Sequence, residues 1–177
     1  MEQESLWITK AREGDQKAFQ ALYDLHVEPL FRFLRQFSSE YAEVEEWVQR
    51  AFVKAFEHLG SFDGRSRFCT WLFTLGMNEM RMDRRRQGRA PVSPMADDED
   101  SIPVSEPEDF EWEEMMRIWM NDLDETKRAV FVLYEVEGYS HAEIAGMLGI
   151  GESTSRTTLS RTKRYLKDRW KKEGMRR

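Results

Sequence analysis

Residues Tyr139 to Leu166, YSHAEIAGMLGIGESTSRTTLSRTKRYL, constrain this chain more than any other stretch, because their capping and turn chemistry spells out two short helices. Ser140 stands at an N-cap position and Glu143, three residues on, completes a capping box, so a helix starts at His141 with Ile144, Ala145 and Leu148 on one face. Gly149 ends that helix, Ile150 plugs the turn, and Ser153 is placed to cap a second helix carrying Leu159, Leu166 and Trp170 near 3.6-residue spacing. The pair is a helix-turn-helix. Its second helix presents Arg156, Thr157, Ser160, Arg161, Lys163, Arg164 and Lys167, a set of donors suited to phosphates and base edges in a major groove.

A net charge of -6 over 177 residues argues against bulk coating of nucleic acid, but the charge is segregated. Ala90 to Met116 holds ten acidic residues and no basic one. From Arg156 to Arg177 ten Lys and Arg face only Asp168 and Glu173, a local excess of +8 and the footprint of a DNA contact.

Cys69 is the single cysteine, which excludes an internal disulfide and any multi-cysteine zinc site; it reads as a core residue in a reducing compartment. His26, His58 and His141 are far apart and lack metal-ligand spacing, so no metal or other cofactor is expected. No catalytic constellation is visible: Glu45/Glu46 and Glu113/Glu114 are helical neighbours pointing in different directions, and the protein is not expected to be an enzyme. No apolar run reaches bilayer length and no signal segment opens the chain, so no membrane insertion is expected and a cytoplasmic location is.

The fold class is all-α, with two small helical domains joined by a flexible acidic linker, the second domain containing the helix-turn-helix. The first domain, 1–89, shows apolar stripes at Ala18, Leu22, Leu25 and at Leu30, Phe33, Leu34, Phe37; a third helix runs from Val44 to Leu59 and a fourth from about Phe68 into Arg84, Arg85 and Arg86. Between the last two lies Ser61 to Arg67, a polar loop with turn chemistry at Asp63-Gly64. The linker, 90–109, carries four of the five prolines and most of the acid cluster, a composition that builds no core. Extended at ~3.3 Å per residue, its roughly 20 residues could span about 65 Å. The second domain, 110–177, opens with Trp112, Met115, Met116, Trp119 and Leu123 on one helix and Lys127 to Glu137 on another.

These residues together resemble the extracytoplasmic-function (ECF) group of bacterial RNA polymerase sigma factors, sigma-70 family. Glu46-Trp47-Val48-Gln49-Arg50-Ala51-Phe52 resembles the family's D-L-V-Q-E-T-F, and Phe68-Cys69-Thr70-Trp71-Leu72 resembles F-R-T-W-L. Asn78 and the Asp83 to Arg86 run follow where the family has N and D-x-x-R-R. Leu123 to Leu133 resembles L-P-x-x-x-R-x-V-F-x-L, with Arg128 at its arginine, and Gly138-Tyr139-Ser140 opens the family's helix-turn-helix. The order and spacing of the motifs are specific where each alone is weak. Departures fall at Glu46 and Arg50, at Asp124 in place of proline, at Ser155 in place of a buried aliphatic, and at Thr158 in place of an arginine.

The resemblance implies a promoter-specificity subunit with a region-two domain, no region three, and a region-four domain. Core RNA polymerase would dock on Glu45, Glu46, Gln49 and Arg50. The -10 element would meet Asp63, Arg65, Ser66, Arg67, Trp71, Asn78, Arg81, Arg84 and Arg85, with a base that has left its stack read by the loop. The -35 element would meet Arg156, Thr157, Ser160, Arg161, Lys163 and Arg164. Promoter DNA, core polymerase and an anti-sigma factor are the implied partners. Two alternatives are a free-standing helix-turn-helix regulator and a sigma-like adaptor that binds protein only; a plain regulator has no need of the Gln49 helix, the loop and the arginine run in that order.

Overall fold

The structure is a computed structural model describing residues 2–88 and 115–174, and among these the chain forms only helices and turns. The helices are α1 (Glu2–Arg12), α2 (Gln16–Leu34), α3 (Tyr41–His58), α4 (Phe68–Arg86), α5 (115–121), α6 (Glu125–Phe131), α7 (His141–Leu148) and α8 (Glu152–Arg169). The linker 90–109 and Trp112 lie outside the described residues.

α1 precedes every helix that apolar spacing indicates. Its apolar content is thin: Ala11 is buried, Trp7 and Ile8 are half-buried against the core, and Leu6 faces solvent. α2 starts at an Asp15 cap, whose carboxylate accepts from the amides of Lys17 and Ala18 at 2.8 and 3.2 Å. It buries Ala18, Leu22, His26, Leu30, Phe33 and Leu34, whereas Leu25, expected on that stripe, is 48% exposed. α4 crosses α2 closely at Gly76, where a Cβ would stand 2.9 Å from Leu30 Cδ1. α3 is fastened to α4 by a buried hydrogen bond from Trp47 Nε1 to Asp83 Oδ2, 3.0 Å long.

In the second half, Asp124 caps α6 by accepting from the amide of Lys127 at 2.9 Å, which accounts for an acid where the family has proline. α6 widens into a π-type turn over Val132–Val136, so the helix expected from Lys127 to Glu137 is built in two winding modes. α7 has the expected capping box, and Gly149 closes it in the left-handed conformation at φ 67°. Gly151, not Ser153, occupies the N-cap of α8, so that expectation is corrected: the helix begins two residues earlier than a Ser153 cap allows, and Ser153 lies inside it.

The two groups of helices pack on each other. α7 lies against α4, the Tyr139 ring meets Phe73 edge-on at 5.5 Å, and Gly146 faces Thr70. The buried Arg128 joins the groups through backbone alone: it donates to the carbonyl of Gln36 at 2.7 Å, and to those of Asn121 and Leu123 at 2.9 and 3.4 Å. Burial lowers its pKa from the usual guanidinium range to about 10, so it remains charged at neutral pH. Replacing Arg128 by Met should therefore orphan carbonyls on both sides and cost on the order of 2–4 kcal/mol, measured as a shift in the urea midpoint. An unchanged midpoint would show that these acceptors are satisfied otherwise.

Candidate nucleic-acid interface

α8 separates its two faces cleanly. Ser155, Leu159, Thr162 and Leu166 are buried, and Arg156, Thr157, Ser160, Arg161, Lys163 and Arg164 all project from the other side, exposed. Arg156 pairs with Glu152 one turn earlier, and Lys163 reaches Glu135 at 2.9 Å. The Thr157 hydroxyl donates to the carbonyl of Ser153, which turns its methyl rather than its donor outward. Buried Ser155, the departure from an aliphatic, shares a 2.9 Å hydrogen bond with His141 Nδ1, and that ring stacks on Tyr134.

The second donor surface begins at the loop after α3. Phe62 is buried, residues 63–67 are exposed, and Phe68 opens α4. Asp63 works inside the loop: its carboxylate accepts from the Arg65 amide at 3.0 Å and pairs with the Arg65 side chain at 3.1 Å. The Arg65 side chain is nonetheless 90% exposed, and Ser66 is exposed beside it. Trp71 is half-buried, its ring 5.1 Å from Phe62 and 5.8 Å from Phe68, so one face is committed to packing. Farther along α4, Asn78, Arg81 and Arg85 line a cleft of about 330 Å³ with Lys54, Glu79 and Met82.

The basic side chains of this surface are largely engaged within the protein. Arg67 pairs with Glu143 at 2.8 Å and Arg81 with Glu125 at 2.7 Å, both carboxylates belonging to the second group of helices. Arg32 forms a two-pronged pair with Glu137 across the same boundary, both contacts 2.8 Å. Arg84 donates to the carbonyl of Phe37, while Arg85 is exposed. Although burial pushes Glu143 up, hydrogen bonds from Ser140 and Arg67 hold it below the usual carboxylate range. Its hydrogen bond to Glu143 raises Arg67 in turn.

A third surface lies between α2 and α3. Phe19, Tyr23, Val27, Phe31, Val48, Phe52 and Phe56 line an apolar groove of about 720 Å³, with Glu28, Glu45, Gln49 and Glu57 at its edge. Glu45 and Gln49 thus share one rim. Glu46 is exposed and pairs with Arg50 at 2.5 Å, and Arg50 turns toward Asp83 at 3.8 Å, under α4. Sequence reasoning missed the groove; its signal is the row Phe19, Tyr23, Val27 and Phe31, at every fourth residue, beside the stripe that packs inward.

Among the described residues there is no cluster of acids, histidines and cysteine fit to hold a metal, and no helix long and apolar enough to cross a membrane. With this geometry in place, the matches to known proteins are decisive. Residues 22–90 match Sigma-70 region 2 and residues 120–166 match Sigma-70, region 4. The chain belongs to the sigma-70 family of RNA polymerase sigma factors, within the ECF group, and it is a promoter-specificity subunit of transcription initiation. It is similar to the RNA polymerase sigma factor NccH of Alcaligenes xylosoxydans xylosoxydans, 33% identical over 165 residues and 89% of each chain. It is similar also to the ECF RNA polymerase sigma-E factor of Escherichia coli strain K12, 29% identical over 172 residues and 88% of each. Among solved structures, CnrH in complex with the cytosolic domain of CnrY superposes with a TM-score of 0.74 at 26% identity, over 97% of this chain and 99% of that one.

Neutralising the carboxylates that hold the basic surface gives a direct test of this packing. Glu125→Gln with Glu137→Gln should loosen the contact of the two helical groups and raise affinity for a single-stranded -10 oligonucleotide by a few-fold, since partly exposed ion pairs contribute about 1 kcal/mol or less each. Fluorescence anisotropy at low and high salt reads the gain, which should shrink as salt rises.

Proposed function

We propose that the chain acts in the cytoplasm as a sigma subunit without catalysis of its own, dividing promoter recognition between a first domain, 1–89, and a second, 110–177, joined by the linker 90–109. In this reading the rim of Glu45 and Gln49, with Glu46, Arg50 and the apolar groove beside them, receives core RNA polymerase. Residues Asp63 to Arg67, with Trp71, Asn78, Arg81, Arg84 and Arg85, take the -10 element. Arg156, Thr157, Ser160, Arg161, Lys163 and Arg164 on α8 take the -35 element. The observation that carries the reading is the loop 63–67: exposed donors on a rigid aromatic stem, at the head of a helix bearing four arginines.

Because Arg67 and Arg81 are held by Glu143 and Glu125, the two domains must part before both cations reach phosphate. An anti-sigma protein is a fitting partner for the packed arrangement, which superposes along nearly its whole length on CnrH bound to the cytosolic domain of CnrY.

Changing Arg65 and Ser66 together to Ala should impair opening at the -10 element while leaving polymerase binding intact, and a template already unpaired there should recover part of the loss. Permanganate reactivity and abortive transcription on duplex and pre-melted templates measure this. A double variant that melts duplex as well as the parent would dismiss the loop's role.

On α8, Arg161→Ala should cost on the order of 1–3 kcal/mol at a preferred -35 sequence and less elsewhere, whereas Lys167→Ala should chiefly lower the salt slope, by about one. Equal losses on all upstream sequences for both variants would reduce Arg161 to a phosphate contact.

A further inference from the structure

We propose that α1 fixes the -10 loop at both of its stems, with Arg12 as the principal positioning residue. The inference rests on the reading of residues 63–67 as the base-capturing loop. α1 lies outside the match to Sigma-70 region 2, which begins at residue 22, and nothing in its own composition marks it for DNA.

The geometry is specific. Arg12 closes α1, and its guanidinium donates through Nε to the carbonyl of Leu59 at 3.2 Å and through Nη2 to the carbonyl of Phe62. The same group lies 5.8 Å over the Phe62 ring. Phe62 is the last buried residue before the five exposed ones. At the other stem, Glu4 of α1 hydrogen-bonds His26 Nε2 at 2.9 Å, and the His26 ring stands 5.3 Å from Phe68, the first residue after the loop's exposed stretch. Phe62 and Phe68 meet edge-on at 5.9 Å, closing the stem.

Each end of the loop is therefore an aromatic ring backed by α1, directly at Phe62 and through one imidazole at Phe68. Inside the loop Asp63 ties Arg65 and sets local shape, and the one outward tie, Arg67 to Glu143, belongs to the second group of helices and is lost when the two domains part. A planar guanidinium is suited to this task, because its fork holds two carbonyls at a set angle while its face covers a ring. Capture of an unstacked base requires donors already in place, and an ordered stem lowers the entropy lost on capture.

The test uses the full chain with core polymerase, comparing the parent, Arg12→Gln, Arg12→Lys and the Arg65→Ala/Ser66→Ala loop variant. Thermal midpoint, polymerase affinity, and opening of duplex and pre-melted -10 templates are measured for each. Arg12→Gln should slow opening of duplex roughly tenfold, keep polymerase affinity within about twofold, and regain most of the loss on the pre-melted template. Added to the loop variant it should bring no further loss, and Arg12→Lys, which keeps charge but not the fork, should fall between it and the parent. If Arg12→Gln proves too unstable, Arg12→Lys is read by the same criteria. Parent-like opening by the Arg12 variants beside an impaired loop variant overturns the role of α1 alone. Losses equal on both templates and additive with the loop variant overturn it too, leaving a purely structural arginine. Parent-like opening by the loop variant overturns the loop reading itself, and this inference with it.

Discussion

Arg128 is the constraint on which the arrangement of this molecule turns. An arginine 1% exposed, facing carbonyls from the turn after α2 and from the segment before α6, holds the two groups of helices at one angle within a continuous core. The acceptors of its guanidinium are peptide carbonyls, and since Glu125 attracts its charge while Arg84 repels it, Coulomb attraction does not explain its burial. Charge-assisted hydrogen bonds to peptide oxygens do, with the Phe37 ring 5.9 Å from the guanidinium on one side. Such a group costs desolvation whichever way it is satisfied. The carbonyls of Gln36 and of the α5–α6 turn converge on it and offset that cost.

Once Arg128 sets the angle, the surface charges of the two groups come into register. Glu125, Glu137 and Glu143 meet Arg81, Arg32 and Arg67, three pairs at 2.7 to 2.8 Å. Partly exposed pairs of this kind contribute modest stability each and weaken with salt. Their value lies in what they occupy. In the proposed reading of this surface, a carboxylate on Arg67 or Arg81 takes the cation a DNA phosphate would take, so intramolecular pairing and promoter contact draw on the same groups. DNA has the denser charge, and an interface of weak pairs can yield to it.

Legibility in the sequence followed signal strength. The helix-turn-helix was readable because the capping box, Gly149 and the donor face of α8 are local chemistry, and the structure keeps all three. The Phe62 to Arg67 loop was readable from Asp63-Gly64 between two apolar helices. α1 was not, since its inward face is only Trp7, Ile8 and Ala11, too few to show a period. Leu25 fits the 3.6-residue spacing and still faces solvent, because periodicity cannot say how wide a buried stripe is. The partners of Arg67 and Arg81 were invisible for another reason: residues 44 to 76 positions apart meet only through tertiary packing.

Ser155 shows how a departure from a family pattern can be absorbed locally. The position is fully buried, and a hydroxyl there without a partner would be costly. His141, the first residue of α7, supplies one from its Nδ1 and is itself braced on Tyr134. The seam between α7 and α8 is thus held by a directional hydrogen bond at the point where the family uses aliphatic contact. Directional bonds tolerate less rotation than apolar packing. Arg156 follows this anchor directly in α8 and Ser160 lies little more than one turn on, so the outward direction of both depends on it. The outward donors of α8 are consequently tied to a polar pair inside, and in the proposed reading a change at His141 reaches recognition through that pair and not through a proposed contact residue.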